Sequence, residues 1–137
     1  MMTMDKAQLV VKAAVAKAQE IGQPMNIAVV DDGANLLAFA RMDGAKPASI
    51  AVSLVKARAA AMRRAPTGPA MSGDQVNVAL ALGLASAAPD HQTPIRGGLP
   101  LLVDGEVVGA IGVSAGTEDQ DLDVARAGAA AFEKAKL

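Results

Sequence analysis

The chain has no cysteine, tryptophan or tyrosine, only two phenylalanines (Phe39 and Phe132), and a single histidine, His91. Without cysteine there is no disulfide, no thiolate nucleophile and no Cys-based zinc or iron–sulfur centre. One imidazole and scattered carboxylates give no metal-ligand spacing, so no metal site is expected. The scarcity of aromatics removes the stacking platform on which single-stranded nucleic acid is held. A formal net charge of −1 removes the basic face that would neutralise phosphates, so no nucleic-acid partner is expected. No apolar run reaches membrane-spanning length without a charge or a turn, and the N-terminus lacks a charged region leading into an apolar one. A soluble cytoplasmic protein with no membrane partner is the expectation. Phosphate-binding and dinucleotide-binding glycine loops are missing too, since Gly109-x-x-Gly112 lacks the rest of either motif.

What remains is a chain of 137 residues, 52% hydrophobic, whose core must be built from Ala, Val, Leu, Ile and Met. That length is enough for one domain, residues 1–137, with a real core. Alanine-rich helix faces each bury little area, so part of the stability is expected from contacts between subunits.

Apolar residues recur at helical spacing from Asp5 to Ile21 (Ala7, Val11, Ala14, Val15, Ala18, Ile21). Gly22 is the natural stop and Pro24 follows. Asn26 to Asp31 and Asn35 to Met42 are β-rich runs joined by Asp32-Gly33, a hairpin signal. Both are apolar on both faces, which predicts cover on both sides. Lys46 to Arg64 opens with Pro47 and reads as a helix. Its apolar face holds Ile50, Leu54, Ala57 and Ala61; its polar face holds Ser49, Ser53, Lys56 and Arg63. Pro66-Thr67-Gly68-Pro69 breaks it. Ser72 with Gln75 is a capping-box pattern for a third helix to about Ala87. That helix would turn Val76, Ala79, Leu80, Gly83 and Leu84 to one side, Gly83 hinting at close helix packing. A polar loop, Pro89 to Pro100, has room for a short strand near Ile95. A second hairpin follows (Leu101–Val103, Asp104-Gly105, Glu106–Ser114). Thr117-Glu118-Asp119-Gln120 caps a last helix to about Lys136, with Ala125, Gly128, Ala129 and Phe132 inward. The order predicts an α+β fold, an antiparallel sheet covered by four helices.

Several segments resemble, in order, the GlcG/HbpS-like family: Ala-Val-Val-Asp-Asp-Gly at 28–33, Arg-Met-Asp-Gly-Ala at 41–45, Lys56-Ala57, Gly97-Gly98-Leu99-Pro100, Gly-Ala-Ile-Gly-Val-Ser at 109–114, and Gln-Asp-Leu-Asp-Val-Ala-Arg-Ala-Gly at 120–128. The family includes the C-terminal domain of PduO-type proteins. The resemblance covers nearly the whole chain. It implies a profilin-like antiparallel five-stranded sheet flanked by helices on both faces, and a homo-oligomer in which dimers build a larger assembly such as an octamer. It also implies a small-ligand site, haem being the ligand of several members.

The charges brought to element boundaries are the candidate chemistry. Arg41 can hold a ligand carboxylate bidentately, with Asp43 orienting it or a ligand hydroxyl. The bland alternative is a salt bridge and a turn at Asp43-Gly44. Lys56 can add a second positive charge or move a proton; the alternative is a solvated lysine. Arg96 precedes Gly97-Gly98, whose backbone can approach an anion or simply form a tight turn. His91 can ligate haem iron or act as a base, but its polar loop lies outside the family-like segments. Glu118, Asp119 and Asp121 suit the positive end of the last helix, and Asp121 falls in the family-like closing segment. Arg41, Lys56, Arg96, Gly97 and Gly98 are therefore the expected ligand contacts of a pocket between sheet and helices. Asp43, Lys56 and Asp121 are the acid–base candidates, should the protein be an isomerase or tautomerase of a 2-hydroxy-dienoate or keto acid. A third reading is a structural or regulatory subunit whose charged turn closes an interface.

Overall fold

The structure is a computed structural model and describes residues 1–135. Among the described residues there are four helices, α1 (Met4–Ile21), α2 (Ser49–Arg63), α3 (Val78–Ala87) and α4 (Glu118–Ala135), and six strands. These are β1 (Asn26–Asp31), β2 (Leu36–Arg41), β3 (Met71–Ser72), β4 (Gln75–Val76), β5 (Gly98–Val103) and β6 (Glu106–Ser114). The main sheet is antiparallel in the order β2-β1-β6-β5, and β3 pairs with β4 in a separate two-residue ladder. The α+β class and the antiparallel sheet agree with the sequence. The main sheet has four strands where the resemblance implied five, because the chain between Arg64 and Gly98 goes into the small ladder and α3 instead. The stretch near Ile95 is not a strand, and the expected helix end at Lys136 lies outside the described residues.

The sheet is covered on both sides, as its doubly apolar strands require. On one face, Ile27, Val29, Ile111, Val113 and Leu101 pack with Ala7, Val10, Ala14 and Ala18 of α1 and with Val124, Ala125 and Phe132 of α4. On the other, Ala28, Val30 and Ala110 meet Ala57, Ala60 and Ala61 of α2. The alanine-lined side brings α2 very near the sheet. A side chain at Gly112 would collide with the Ser53 carbonyl and the Ala57 amide of α2, and one at Gly109 would meet the Val30 carbonyl at 2.5 Å. Gly112 supplies that close approach to α2, while Gly109 clears the neighbouring strand β1 and Met2.

Local chemistry sets most boundaries. Thr3 accepts from the Lys6 N–H at the start of α1, and Gly22 ends it in the left-handed region at φ 72°. Thr117 and Gln120 exchange side chain–backbone bonds of 3.0 and 3.2 Å, the expected capping box of α4. In the β5–β6 turn both Asp104 and Gly105 take positive φ (50° and 80°), as a two-residue hairpin needs. In the β1–β2 turn the positive φ falls on Ala34, and the Asp31 carboxylate ties the loop through the N–H groups of Gly33 and Asn35.

The third helix departs most from expectation. Its cap is Asn77, which accepts from the Leu80 N–H at 3.0 Å; Ser72 and Gln75 pair across the β3–β4 ladder instead. Ala81, not the Leu80–Leu84 side, is its buried residue. No described helix is long and apolar enough to cross a membrane.

Candidate functional site

The residues singled out in the sequence fall into two groups. The first is buried. Lys56, in the middle of α2, is 1% exposed and Asp121, in the first turn of α4, is 3% exposed. The Lys56 Nζ donates to Asp121 Oδ2 at 2.8 Å and to the Val113 carbonyl of β6 at 2.8 Å. Asp121 Oδ1 accepts from the Gly116 N–H at 2.9 Å. One ion pair thus ties α2, β6 and α4 together across the end of the sheet. Burial pushes the Asp121 carboxyl above its ordinary value; the hydrogen bond and charge of Lys56, and the Gly116 N–H, pull it back only in part. The helix face that the sequence presents as polar, with Ser53 and Lys56, is turned inward: the Ser53 hydroxyl is spent on the Ile50 carbonyl at 2.7 Å.

Gly97 and Gly98 form the lid of this cluster. Gly97 sits at φ 124°, and a Cβ there would lie 2.9 Å from the Lys56 Nζ and 2.7 Å from the Val113 carbonyl. A Cβ on Gly98 would strike the Lys56 carbonyl and the Thr67 methyl. The Gly98 N–H donates to Thr67 Oγ1 at 2.9 Å, and the Gly98 carbonyl accepts from the Thr67 N–H. The glycine pair therefore lets β5 run over α2, and the Gly97 carbonyl and both backbone groups of Gly98 are engaged within the chain. Arg96, next in sequence, is exposed; its backbone N–H donates to Glu118 Oε1 at 3.1 Å.

The second group is open. Arg41 ends the edge strand β2, and Asp43 opens the turn closed by the Ala45 N–H on the Met42 carbonyl at 3.0 Å. Both residues are exposed, and they form no ion pair with each other among the described residues. With Gln19 and Val15 of α1, and with Ala40 and Met42, they line a hollow of about 450 Å³ between the sheet edge and α1. Its wall mixes apolar side chains (Val15, Ala40, Met42) with polar and charged ones (Gln19, Arg41, Asp43). A hollow of about 730 Å³ at the far end of the sheet includes Asp32, Arg64 and Glu106. Two carboxylates there face one guanidinium, which is already donating to the Asp32 carbonyl at 3.3 Å, so that hollow is ill suited to an anion.

Asn26 is a residue that the sequence alone does not single out. It is fully buried at the start of β1, directly opposite Arg41 in the sheet and opposite Ser114 on its other side. Its Nδ2 donates to the Lys46 carbonyl at 2.9 Å, while its Oδ1 has no partner. An amide opening an otherwise apolar strand, Asn-Ile-Ala-Val-Val, is the available signal. Buried acceptors are normally satisfied, so this one is an exception in the core. His91 is half-buried in the loop after α3 and lines neither hollow. Among the described residues no cluster of His, Cys, Asp and Glu could hold a metal ion.

Residues 2–130 match the sequence model of a family described as haem degrading protein HbpS-like. The chain is 37% identical over 113 residues to protein GlcG of Escherichia coli K12, covering 82% of this chain and 81% of GlcG. The crystal structure of Klebsiella pneumoniae protein ORFY superposes with a TM-score of 0.86 at 33% identity, covering 96% of this chain and 90% of that one. A PduOC–haem complex superposes with a TM-score of 0.82 at 26% identity, covering 95% and 94%.

Proposed function

Since this chain belongs to the HbpS-like family, we propose that it binds a small anionic molecule, haem first among the candidates, in the hollow between β2 and α1, and that it works as a homo-oligomer. The observation that carries the ligand reading is Arg41: an exposed guanidinium with no carboxylate partner among the described residues, set in a hollow of ligand size. The complex of PduOC with haem supports haem as the first ligand to test.

The lining suits the periphery of a haem. Arg41 would hold a propionate of the haem. Val15 and Ala40 offer apolar contact, and the Met42 thioether is the one soft donor of the hollow. When bound, haem would supply iron-centred redox chemistry. The chain's part is to hold the carboxylate at Arg41, with Asp43 and Gln19 as polar neighbours on the same wall. Lys56 and Asp121 do not line that hollow; their part is to fix α2 and α4 to the sheet.

Titration with haemin tests the proposal: a saturable Soret shift is expected, weakened about tenfold or more in Arg41→Ala. No shift in the wild-type protein would remove haem, and an unchanged affinity in the variant would remove Arg41. A catalytic reading keeps one observation in its favour, since Asp43 faces the same hollow as Arg41. Turnover of a 2-hydroxy-dienoate or keto acid, lost in Asp43→Asn with the fold intact, would establish isomerase chemistry there.

A further inference from the structure

Helix α3 is out of keeping with the rest of the molecule. From Val76 to Pro89 the sequence carries no charge. A helix apolar on all sides is normally buried, and one this short is marginal by itself in water. Yet α3 packs extensively on no other helix or strand of the described residues. Only Ala81 is buried, while Val78, Leu80, Leu82 and Leu84 are 38–62% exposed. Met62, Met71 and Val76 stand half-exposed in the same part of the chain. Gly83 sharpens the anomaly. The sequence suggests that it allows close helix packing, but a Cβ there would meet nothing within 4 Å. Glycine destabilises a helix relative to alanine, and no contact within the chain requires it.

We propose that α3 is a seam between two copies of this chain, packed against the α3 of a second copy about a two-fold axis, with Ala79 and Gly83 at the closest approach. Three features select a second copy as the occupant. At helical spacing Ala79 and Gly83 form one small-residue stripe opposite the buried Ala81, flanked by Val78 and Leu82 on one side and Leu80 and Leu84 on the other, a groove between ridges that a two-fold copy of itself can enter. The absence of charge gives a charged or polar partner nothing to recognise. Half the area of the exposed large side chains, with Ala79, Gly83, Ser86 and Ala87 between them, comes to on the order of 500 Å² per copy. A symmetrical pairing then buries on the order of 1,000 Å², where specific interfaces begin. A patch of that size lies toward the upper end of what a monomer leaves in water, where such patches often serve a function. The seam rests on the self-association of the preceding proposal and is independent of its ligand.

Sedimentation velocity on wild type, Leu82→Glu and Gly83→Met tests it, with circular dichroism to confirm the fold. Both positions face open solvent within the chain, so both variants should fold. The wild type is expected to sediment at a multiple of 13.8 kDa, and both variants to lose at least half of the assembled mass. A wild type that stays at 13.8 kDa at all concentrations overturns self-association itself. An assembled wild type whose mass survives both substitutions overturns only the α3 seam. A monomeric wild type whose haemin binding is lost in Leu82→Glu would show that α3 seats a flat apolar ligand, and would overturn the proposal in that way.

Discussion

Two places in this molecule gather charge, and they are built in opposite ways. At the Lys56–Asp121 pair, everything is sealed: both groups are buried, three hydrogen bonds are in place, and glycines let β5 close over them. At Arg41–Asp43, almost nothing is satisfied: the two charges lie in the open beside a hollow and do not pair. A buried ion pair is costly to desolvate, and its value lies in fixing one arrangement of the elements it joins. An exposed, unpaired guanidinium costs little to keep and is free to bind. The same residue chemistry thus gives a sealed brace in one place and an open, unpaired charge in the other, the docking point we propose.

The sharpest way to break this contrast is to remove half of the brace. Lys56→Ala leaves the Asp121 carboxylate buried without its cation and should cost about 3–5 kcal/mol in urea unfolding. Replacing both partners together, Lys56→Met with Asp121→Leu, should return much of that loss, because no orphaned charge remains. Next in size is the lid. Gly97→Ala or Gly98→Ala forces a methyl group against Lys56 and should cost about 1–3 kcal/mol.

Acidity offers a smaller test of the same pair. Burial raises Asp121 in the folded state, so as pH falls the folded chain takes up this proton before the unfolded chain does. Stability linked to this group therefore grows on acidification through the raised value, and is lost as pH climbs back. Asp121→Asn cannot titrate, so the urea midpoint of the wild type should gain on that of the variant between neutral pH and about pH 4. A gap that closes on acidification would contradict the raised value. The smallest effect on stability belongs to the open group: Arg41→Ala should move the unfolding free energy by no more than about 0.5 kcal/mol.

Much of the frame was legible in the chain. Strands apolar on both faces announced a sheet covered twice, and Gly22, Thr117-Gln120 and Asp104-Gly105 marked their boundaries through simple backbone chemistry. The candidate site was only half legible. Spacing along α2 placed Lys56 with Ser49 and Ser53 on a polar face, because periodicity cannot tell a solvated lysine from one matched to a carboxylate 65 positions away. Glycines at 97 and 98 signalled close approach, but the approach is of the chain to itself. Asn26 carried no pattern of its own, since one amide opening a strand looks like any strand end. In α3 the spacing turned Val76, Ala79, Leu80, Gly83 and Leu84 to one side, but the helix is apolar all round, so spacing could not show that Ala81 is the residue turned inward.

The most direct test sets the two regions against each other in a single haemin titration. Arg41→Ala should keep the wild-type stability and lose about tenfold or more in affinity, while the Lys56→Met, Asp121→Leu double variant should fold and bind as the wild type does. If instead the Arg41 variant binds normally and the double variant, though folded, does not bind, then the ligand reads the buried pair, and the division into brace and docking point is wrong.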